Sequence, residues 1–142
     1  MAIHARSLEN FQVEINVNDN EHQLRADEPI SVGGDNTGPS PYDMLLGSLA
    51  ACKIVTTQMY ARRKDWALDG VELHMSTKKI HAKDCEDAVS SPNAKIDVID
   101  TEIRFLGDLS DEQTERLQEI SERCPVHRTL KSETLIQTKL LN

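Results

Sequence analysis

The sequence has little positive charge, few cysteines and no long hydrophobic segment. Its 142 residues carry 16 lysines and arginines against 24 acidic residues, a formal net charge of -8. Without a basic excess the chain offers no positive field to a phosphate backbone, which argues against nucleic acid as a partner. Its apolar stretches are far shorter than the ~20 residues of a membrane-spanning helix, which argues against a membrane role.

The N-terminal residues 1–6 also lack the apolar core of an export signal. The three cysteines are an odd number, whereas a secreted disulfide framework pairs its cysteines. We therefore expect a cytoplasmic protein with reduced thiols. A single domain over residues 1–142 is long enough to bury a core without covalent staples.

Alternating apolar residues predict a β-hairpin in the first third of the chain. One face of its first strand carries Phe11, Val13, Ile15 and Val17. Residues 18–20 are predicted as the turn, and residues 22–26 as the returning strand. Residues 33–41 then hold three glycines and two prolines, which predicts a loop.

A long helix over residues 41–63 follows this loop. Ser40 can cap its first free amides, and Pro41 suits the first helical position. A predicted apolar stripe comprises Leu45, Leu49, Cys52, Val55 and Met59, and it is widened almost around the helix by Met44, Leu46, Ala50, Ala51 and Ile54. Because one small sheet cannot cover a helix on all sides, we expect a second copy of the chain to cover it as a homodimer.

The second half of the sequence predicts two strands, two helical segments and a last strand. A turn at residues 68–70 leads into a strand over 71–80, and a charged loop over 81–95 leads into a strand over 96–105. The alternation slips by one at Val98-Ile99, which suggests a bulge. Ser110 and Gln113 have the spacing of a capping box, so a helix begins there and places Cys124 on its buried face. Residues 134–141 are predicted as a strand.

Cys52 and Cys124 are the candidate reactive residues. A cysteine on an apolar helical stripe is usually a small core residue, so each needs a further argument. Cys52 lies about 16 Å beyond Pro41 at ~1.5 Å per residue, too far for the helix N-terminus to stabilise a thiolate. A thiolate there needs a nearby cation, and the candidates are Arg25, Arg128 and His127.

Cys124 precedes Pro125, which disfavours helical geometry in the residue before it. One helix should therefore end at Cys124 and another begin at Pro125, where the helix N-terminus favours a thiolate. The two cysteines are 124 minus 52, or 72 residues apart, so only tertiary contact can bring their Cα atoms within the ~7 Å of a disulfide.

Other chemistries are less well supported by the spacing of side chains. A zinc site would have to use His81, Cys85, Cys124 and His127, whose spacings are loose. Asp84, Glu86 and Asp87 form a charged run typical of a solvated surface rather than a hydrolytic carboxylate pair. We find no nucleophile motif for acyl transfer and no phosphate-binding glycine loop.

Three sequence segments resemble the OsmC/Ohr family of thiol-dependent peroxidases. They are residues 33–43, residues 49–52 (Leu-Ala-Ala-Cys) and residues 124–127 (Cys-Pro-Val-His), and the order of predicted elements agrees over almost the whole chain. Residues 62–66, 81–85 and 124–130 are closer to the OsmC-like branch. The resemblance implies an α+β fold with antiparallel sheets packed around a long central helix, in an intertwined homodimer with sites at the subunit interface.

The resemblance further implies that Cys52 is the peroxidatic cysteine, which attacks an organic hydroperoxide, and that Cys124 resolves it as a disulfide. A small dithiol or a thioredoxin-like protein would restore both thiols, and no metal, haem or flavin takes part. Tyr42 stands where the family's peroxidases have a glutamate that orients an arginine. The residues expected to activate or orient the site are therefore Arg25, Tyr42, Asp43, His127 and Arg128.

The alternative function is non-enzymatic. A dimer could keep the family fold and bind a small apolar or anionic ligand in its interface cleft, with the cysteines as inherited core residues. The role of Cys85 is left open by the sequence.

Overall fold

The computed structural model describes residues 2–84 and 93–142 and shows a mixed α+β chain with antiparallel sheets and one long helix. Its elements are β1 (Ile3–Ser7), β2 (Val13–Val17), β3 (His22–Ala26), a short 3-10 turn (Ile30–Val32), α1 (Pro41–Arg63), β4 (Leu68–His81), a second 3-10 turn (Ala82–Asp84), β5 (Lys95–Gly107), α2 (Asp111–Ser121) and α3 (Pro125–Lys131). The contacts divide the chain into two compact units, residues 1–48 and 49–142.

The first unit is built on a three-stranded antiparallel sheet in the order β1-β2-β3. The predicted hairpin of β2 and β3 is confirmed, with Ile15 opposite Leu24. Its turn residues Asn18, Asp19 and Asn20 all have left-handed backbone, at φ 48°, 55° and 71°, a conformation that Asn and Asp tolerate. The sequence interpretation missed β1, whose residues are all exposed and show no alternation in burial.

The loop between β3 and α1 is held by the buried side chain of Asp27. Its carboxylate accepts hydrogen bonds from the backbone N–H of Thr37 at 2.9 Å and from the Thr37 hydroxyl at 2.8 Å. A Cβ at Gly38 would lie 2.4 Å from the carbonyl oxygen of Arg25. Glycine is therefore needed at that close approach, which explains part of the glycine-rich composition of the loop.

Helix α1 begins and ends as predicted, at Pro41 and Arg63. Ser40 Oγ accepts from the Asp43 amide at 3.2 Å, and the Asp43 carboxylate accepts from the Ser40 hydroxyl at 2.7 Å, so the two residues cap the first turn reciprocally. Among the described residues no helix is long and apolar enough to cross a membrane.

The predicted apolar stripe of α1 is wrong as a description of its buried face. The buried residues follow steps of four, Leu49, Lys53, Thr57 and Ala61, whereas Val55 is 50% and Met59 65% exposed. Two polar side chains join this row because their groups are bonded: the Thr57 hydroxyl, for example, donates to the carbonyl of Ile54 at 2.8 Å. Apolar periodicity alone cannot identify such positions.

In the second unit, β4 and β5 form a long antiparallel pair. The predicted bulge at Val98-Ile99 is wrong, because Val98 pairs with Lys78 and Ile99 with Thr77 in continuous register. The irregularity lies instead between Leu68 and Gly70, within the predicted turn. The alternation slips at Val98-Ile99 because both side chains are half-buried, on opposite faces of one strand.

The capping box of α2 is confirmed: Ser110 Oγ accepts from the Gln113 amide at 3.2 Å, and Gln113 Oε1 accepts from the Ser110 amide at 3.0 Å. The last predicted strand, residues 134–141, is wrong, since the described chain has no regular structure after residue 132. A strand needs a partner for its backbone groups, and the apolar residues of this segment do not by themselves supply one. Cys85 and most of the predicted loop over 81–95 lie outside the described residues.

Candidate functional site

Two helices bring the thiols of Cys52 and Cys124 together in the second unit. Cys52 is half-buried in the middle of α1, and Cys124 is completely buried, with 0% exposure, directly before α3. The predicted start of a helix at Pro125 is confirmed, whereas the predicted helix end at Cys124 is wrong, because α2 already ends at Ser121. Cys124 is the N-cap of α3, and its Sγ accepts a hydrogen bond from the backbone N–H of His127 at 3.3 Å.

The surroundings of Cys124 act on its thiol in opposite directions. Burial raises the pKa of Cys124 above its ordinary value, the His127 amide lowers it, the nearby Cys52 thiol raises it, and Lys53 lowers it. Burial is the largest of these causes, so the pKa of Cys124 is raised overall. The effect of Cys52 on the pKa of Cys124 fits the expectation that the two cysteines lie close together, and both are free thiols.

Lys53 supplies the cation beside the thiol pair, and the sequence interpretation missed it. Its side chain is nearly buried, with the whole residue 5% exposed, and Nζ donates to the carbonyl oxygen of Ser121 at 3.3 Å. Ser121 is the last residue of α2, where unpaired carbonyls and the negative end of the helix dipole favour a cation. The sequence does hold one indication of this role. Lys53 is a lone lysine four residues after Leu49 and four before Thr57, so it lies on the buried face of α1.

Lys53 Nζ also lies 3.2 Å from Nδ1 of His127. A lysine ammonium has only donors, so Nδ1 must accept and the imidazole must carry its proton on Nε2. Burial lowers the pKa of His127, and the charge of Lys53 lowers it further, while Glu122 raises it and Lys131 lowers it. His127 is therefore a neutral side chain at pH 7, with Nε2–H as its donor.

A cavity of about 340 Å³ opens next to Lys53 and His127. Its other lining residues are Leu49, Asp97, Ile99, Thr101, Leu130 and Lys131. The one carboxylate of this lining, Asp97, forms an ion pair with Lys79 at 2.7 Å. The cavity thus combines apolar walls with the lysine and the histidine of the thiol site.

The other predicted site residues are described by their own surroundings. Tyr42 and Asp43 are exposed in the first turn of α1, and hydrogen bonds from Ser40 lower the pKa of Asp43, which accounts for that carboxylate as a helix cap. Arg25 is exposed in β3, opposite Glu14, and belongs to the first unit. Arg128 is exposed in α3. Their roles at the thiol site therefore stay predictions.

A metal site receives no support from the described part of the chain, where no group of three or more His, Cys, Asp or Glu side chains is placed to hold an ion. Of the four residues considered for zinc, Cys124 and His127 are adjacent, and Cys85 lies outside the described residues. The contacts of Cys124 and His127 are made with each other and with α1 instead.

Comparison with known proteins shows the family of the chain. The model of the OsmC-like protein family matches residues 34–139, which include both cysteines, Lys53 and His127. The chain belongs to the OsmC-like family. No curated protein sequence matches it significantly.

Solved structures share the fold of this OsmC-like chain at low sequence identity. An organic hydroperoxide resistance protein OsmC from Legionella pneumophila is 15% identical, with a TM-score of 0.64 over 92% of this chain and 90% of that one. An OsmC-like protein from Mycoplasma pneumoniae is 22% identical, with a TM-score of 0.64 over 92% and 86%. The organic hydroperoxide resistance protein OhrB of Bacillus subtilis is 19% identical, with a TM-score of 0.59 over 92% and 89%.

Proposed function

We propose that this OsmC-like protein is a thiol-dependent reductase of organic hydroperoxides, with Cys52 as the attacking residue and Cys124 as the resolving one. The observation that supports this most directly is that the half-buried Cys52 thiol and the Lys53 ammonium both lie near enough to the fully buried Cys124 thiol to act on its pKa. Two of the structural relatives described above carry the name organic hydroperoxide resistance protein, which agrees with the proposal.

In the proposed reaction, the Cys52 thiolate attacks the distal oxygen of the hydroperoxide. A sulfur–oxygen bond forms, the oxygen–oxygen bond breaks, and the leaving alkoxide takes a proton to become the alcohol. Cys52 is then a sulfenic acid, and Cys124 converts it to a disulfide with release of water. A thiol or dithiol reductant, such as a small dithiol or a thioredoxin-like protein, returns both cysteines to thiols.

The test is treatment of the reduced protein with one equivalent of cumene hydroperoxide, followed by peptide mass spectrometry. We expect a disulfide between Cys52 and Cys124 in the wild type, a trapped sulfenic acid at Cys52 in Cys124→Ser, and no peroxide consumption in Cys52→Ser. Cys85→Ser is the matched control and should behave as the wild type. Unmodified thiols in the treated wild type would contradict the proposal.

The cavity beside Lys53 and His127 favours a second candidate function, the binding of a small apolar or anionic ligand without catalysis. Its apolar walls and its lysine suit a carboxylate on a hydrocarbon body. The Cys52→Ser variant separates the two candidates. A folded, wild-type protein that leaves peroxide untouched and binds a fatty acid equally well in both forms would support the binding function.

A further inference from the structure

The buried charge of Lys53 has no fixed counter-ion. Both acceptors of its Nζ, the Ser121 carbonyl and His127 Nδ1, are uncharged, and no carboxylate of the described chain forms an ion pair with it. Asp97, the acidic residue of the adjoining cavity, is paired with Lys79. Burying an ammonium costs free energy unless an anion or good acceptors compensate it. An anion that forms beside Lys53 would therefore be stabilised by its charge.

We propose that Lys53 is a positioning residue for the resolving step, in which its ammonium is the counter-cation of the Cys124 thiolate. This inference rests on the proposed peroxidase function and names the cation that the function requires. The α2 carbonyl and the His127 ring anchor the ammonium, and the same His127 donates its amide to Cys124 Sγ. The Cys124 sulfur is therefore stabilised as a thiolate from two helices, by the Lys53 charge on α1 and by the His127 amide on α3.

The step that Lys53 supports balances without a further reactant. The Cys124 thiolate attacks the sulfur of the Cys52 sulfenic acid, a sulfur–sulfur bond forms and the sulfur–oxygen bond breaks. The hydroxide leaves with the bonding electron pair and takes up the proton that Cys124 released, giving water. The Cys52 sulfur is reduced and the Cys124 sulfur oxidised.

The electrostatic surroundings determine the direction in which the pKa of Cys124 should change when the Lys53 charge is removed. Burial raises the pKa of Cys124, and Lys53 acts against that rise. The other groups facing the site are Cys52 on α1, Glu122 after α2, Lys131 on α3 and Asp97 on β5, of which Glu122 and Lys131 act on the pKa of His127. Removal of the Lys53 charge must therefore raise the pKa of Cys124 further, because burial is then opposed only by the His127 amide.

The test measures the Cys124 thiol without any peroxide. The rate of iodoacetamide alkylation of Cys124 is followed against pH by peptide mass spectrometry in Cys52→Ser and in Cys52→Ser with Lys53→Met. We expect the inflection for Cys124 to move to higher pH in the double variant and to return when Lys53 is replaced by Arg, which keeps the charge. Lys64→Met is the matched control, since it removes an exposed lysine directly after α1, and it should leave Cys124 unchanged.

The direction of the shift separates an electrostatic role from a structural one. If Lys53 merely held the helices together, its removal would loosen the site, expose Cys124 and lower the pKa of its thiol. An unchanged or lowered inflection in the Lys53→Met variant overturns the inference. Lys53→Gln is measured alongside, because it keeps a donor for the Ser121 carbonyl and so preserves the fold if methionine does not.

The kinetic consequence is measured on the second step. Once the sulfenic acid has formed at Cys52, its conversion to the disulfide should be roughly tenfold slower near pH 7 in Lys53→Met than in the wild type, the effect of a pKa raised by about one unit. Failure of the wild type to form any disulfide would refute the proposed peroxidase function. A wild type that forms it, beside a Lys53→Met variant that forms it equally fast, would refute the role of Lys53 alone.

Discussion

At the scale of single residues, His127 should make the stability of the protein depend on pH. Burial and the Lys53 charge lower its folded-state pKa below the ordinary 6.5, so the folded protein resists a proton that the unfolded chain accepts. The free energy of unfolding contributed by this residue is therefore complete above pH 6.5 and is lost as the pH falls from there through the lower folded value.

Urea unfolding of the wild type and of His127→Gln at a series of pH values checks this prediction. The wild type should lose stability over that acidic window more steeply than the variant, because glutamine takes up no proton. His74→Gln is the control, since His74 is exposed in β4. Parallel curves for the wild type and His127→Gln would show that the folded protein does not disfavour a protonated His127.

The site residues differ in how visible they are in the sequence. Cys52, Cys124 and His127 belong to short segments with recognisable spacing, so the sequence alone identifies them as candidates. It does not identify Lys53, because a lysine in an apolar helix ordinarily reaches solvent. The burial of Lys53 depends on two acceptors, Ser121 and His127, that lie 68 and 74 residues away in sequence.

At the scale of elements, Cys124 should contribute to stability as a helix cap as well as to chemistry. Its Sγ accepts the His127 amide at the start of α3. Serine can take over this bond, but alanine cannot, so Cys124→Ala should unfold with a free energy about 1 kcal/mol lower than Cys124→Ser. Denaturant unfolding of the two variants measures the difference. Equal free energies of unfolding would mean that the cap hydrogen bond does not stabilise the protein.

The elements themselves were predictable where local signals decide them. The bounds of α1 follow from the Ser40 cap, Pro41 and the basic residues at its end, and β3 follows from its hairpin turn. β1 was missed because its apolar alternation is short, with only Ile3 and Ala5, and all five residues are exposed. The strand predicted over residues 134–141 is wrong because this apolar segment pairs with no strand within the described chain.

At the scale of the whole molecule, the exposed apolar residues suggest an incomplete assembly. They include Val55 and Met59 on α1, and Leu135, Ile136, Leu140 and Leu141 in the C-terminal segment, the last four all at least 80% exposed. Apolar surface of this extent usually marks an interface. We therefore predict a homodimer, in which a second copy covers the α1 face and gives the C-terminal segment a partner.

Sedimentation equilibrium of the whole chain should give a mass near twice the 15.9 kDa of one chain. A double substitution of Leu135 and Ile136 by Glu should shift the mass towards that of the single chain, because carboxylates buried in an apolar interface are strongly unfavourable. Gln137→Glu adds charge in the same segment without removing an apolar side chain, so it should leave the mass unchanged. A wild type that sediments as a single chain would contradict the dimer, and a dimer that survives the double substitution would place the interface on α1 instead.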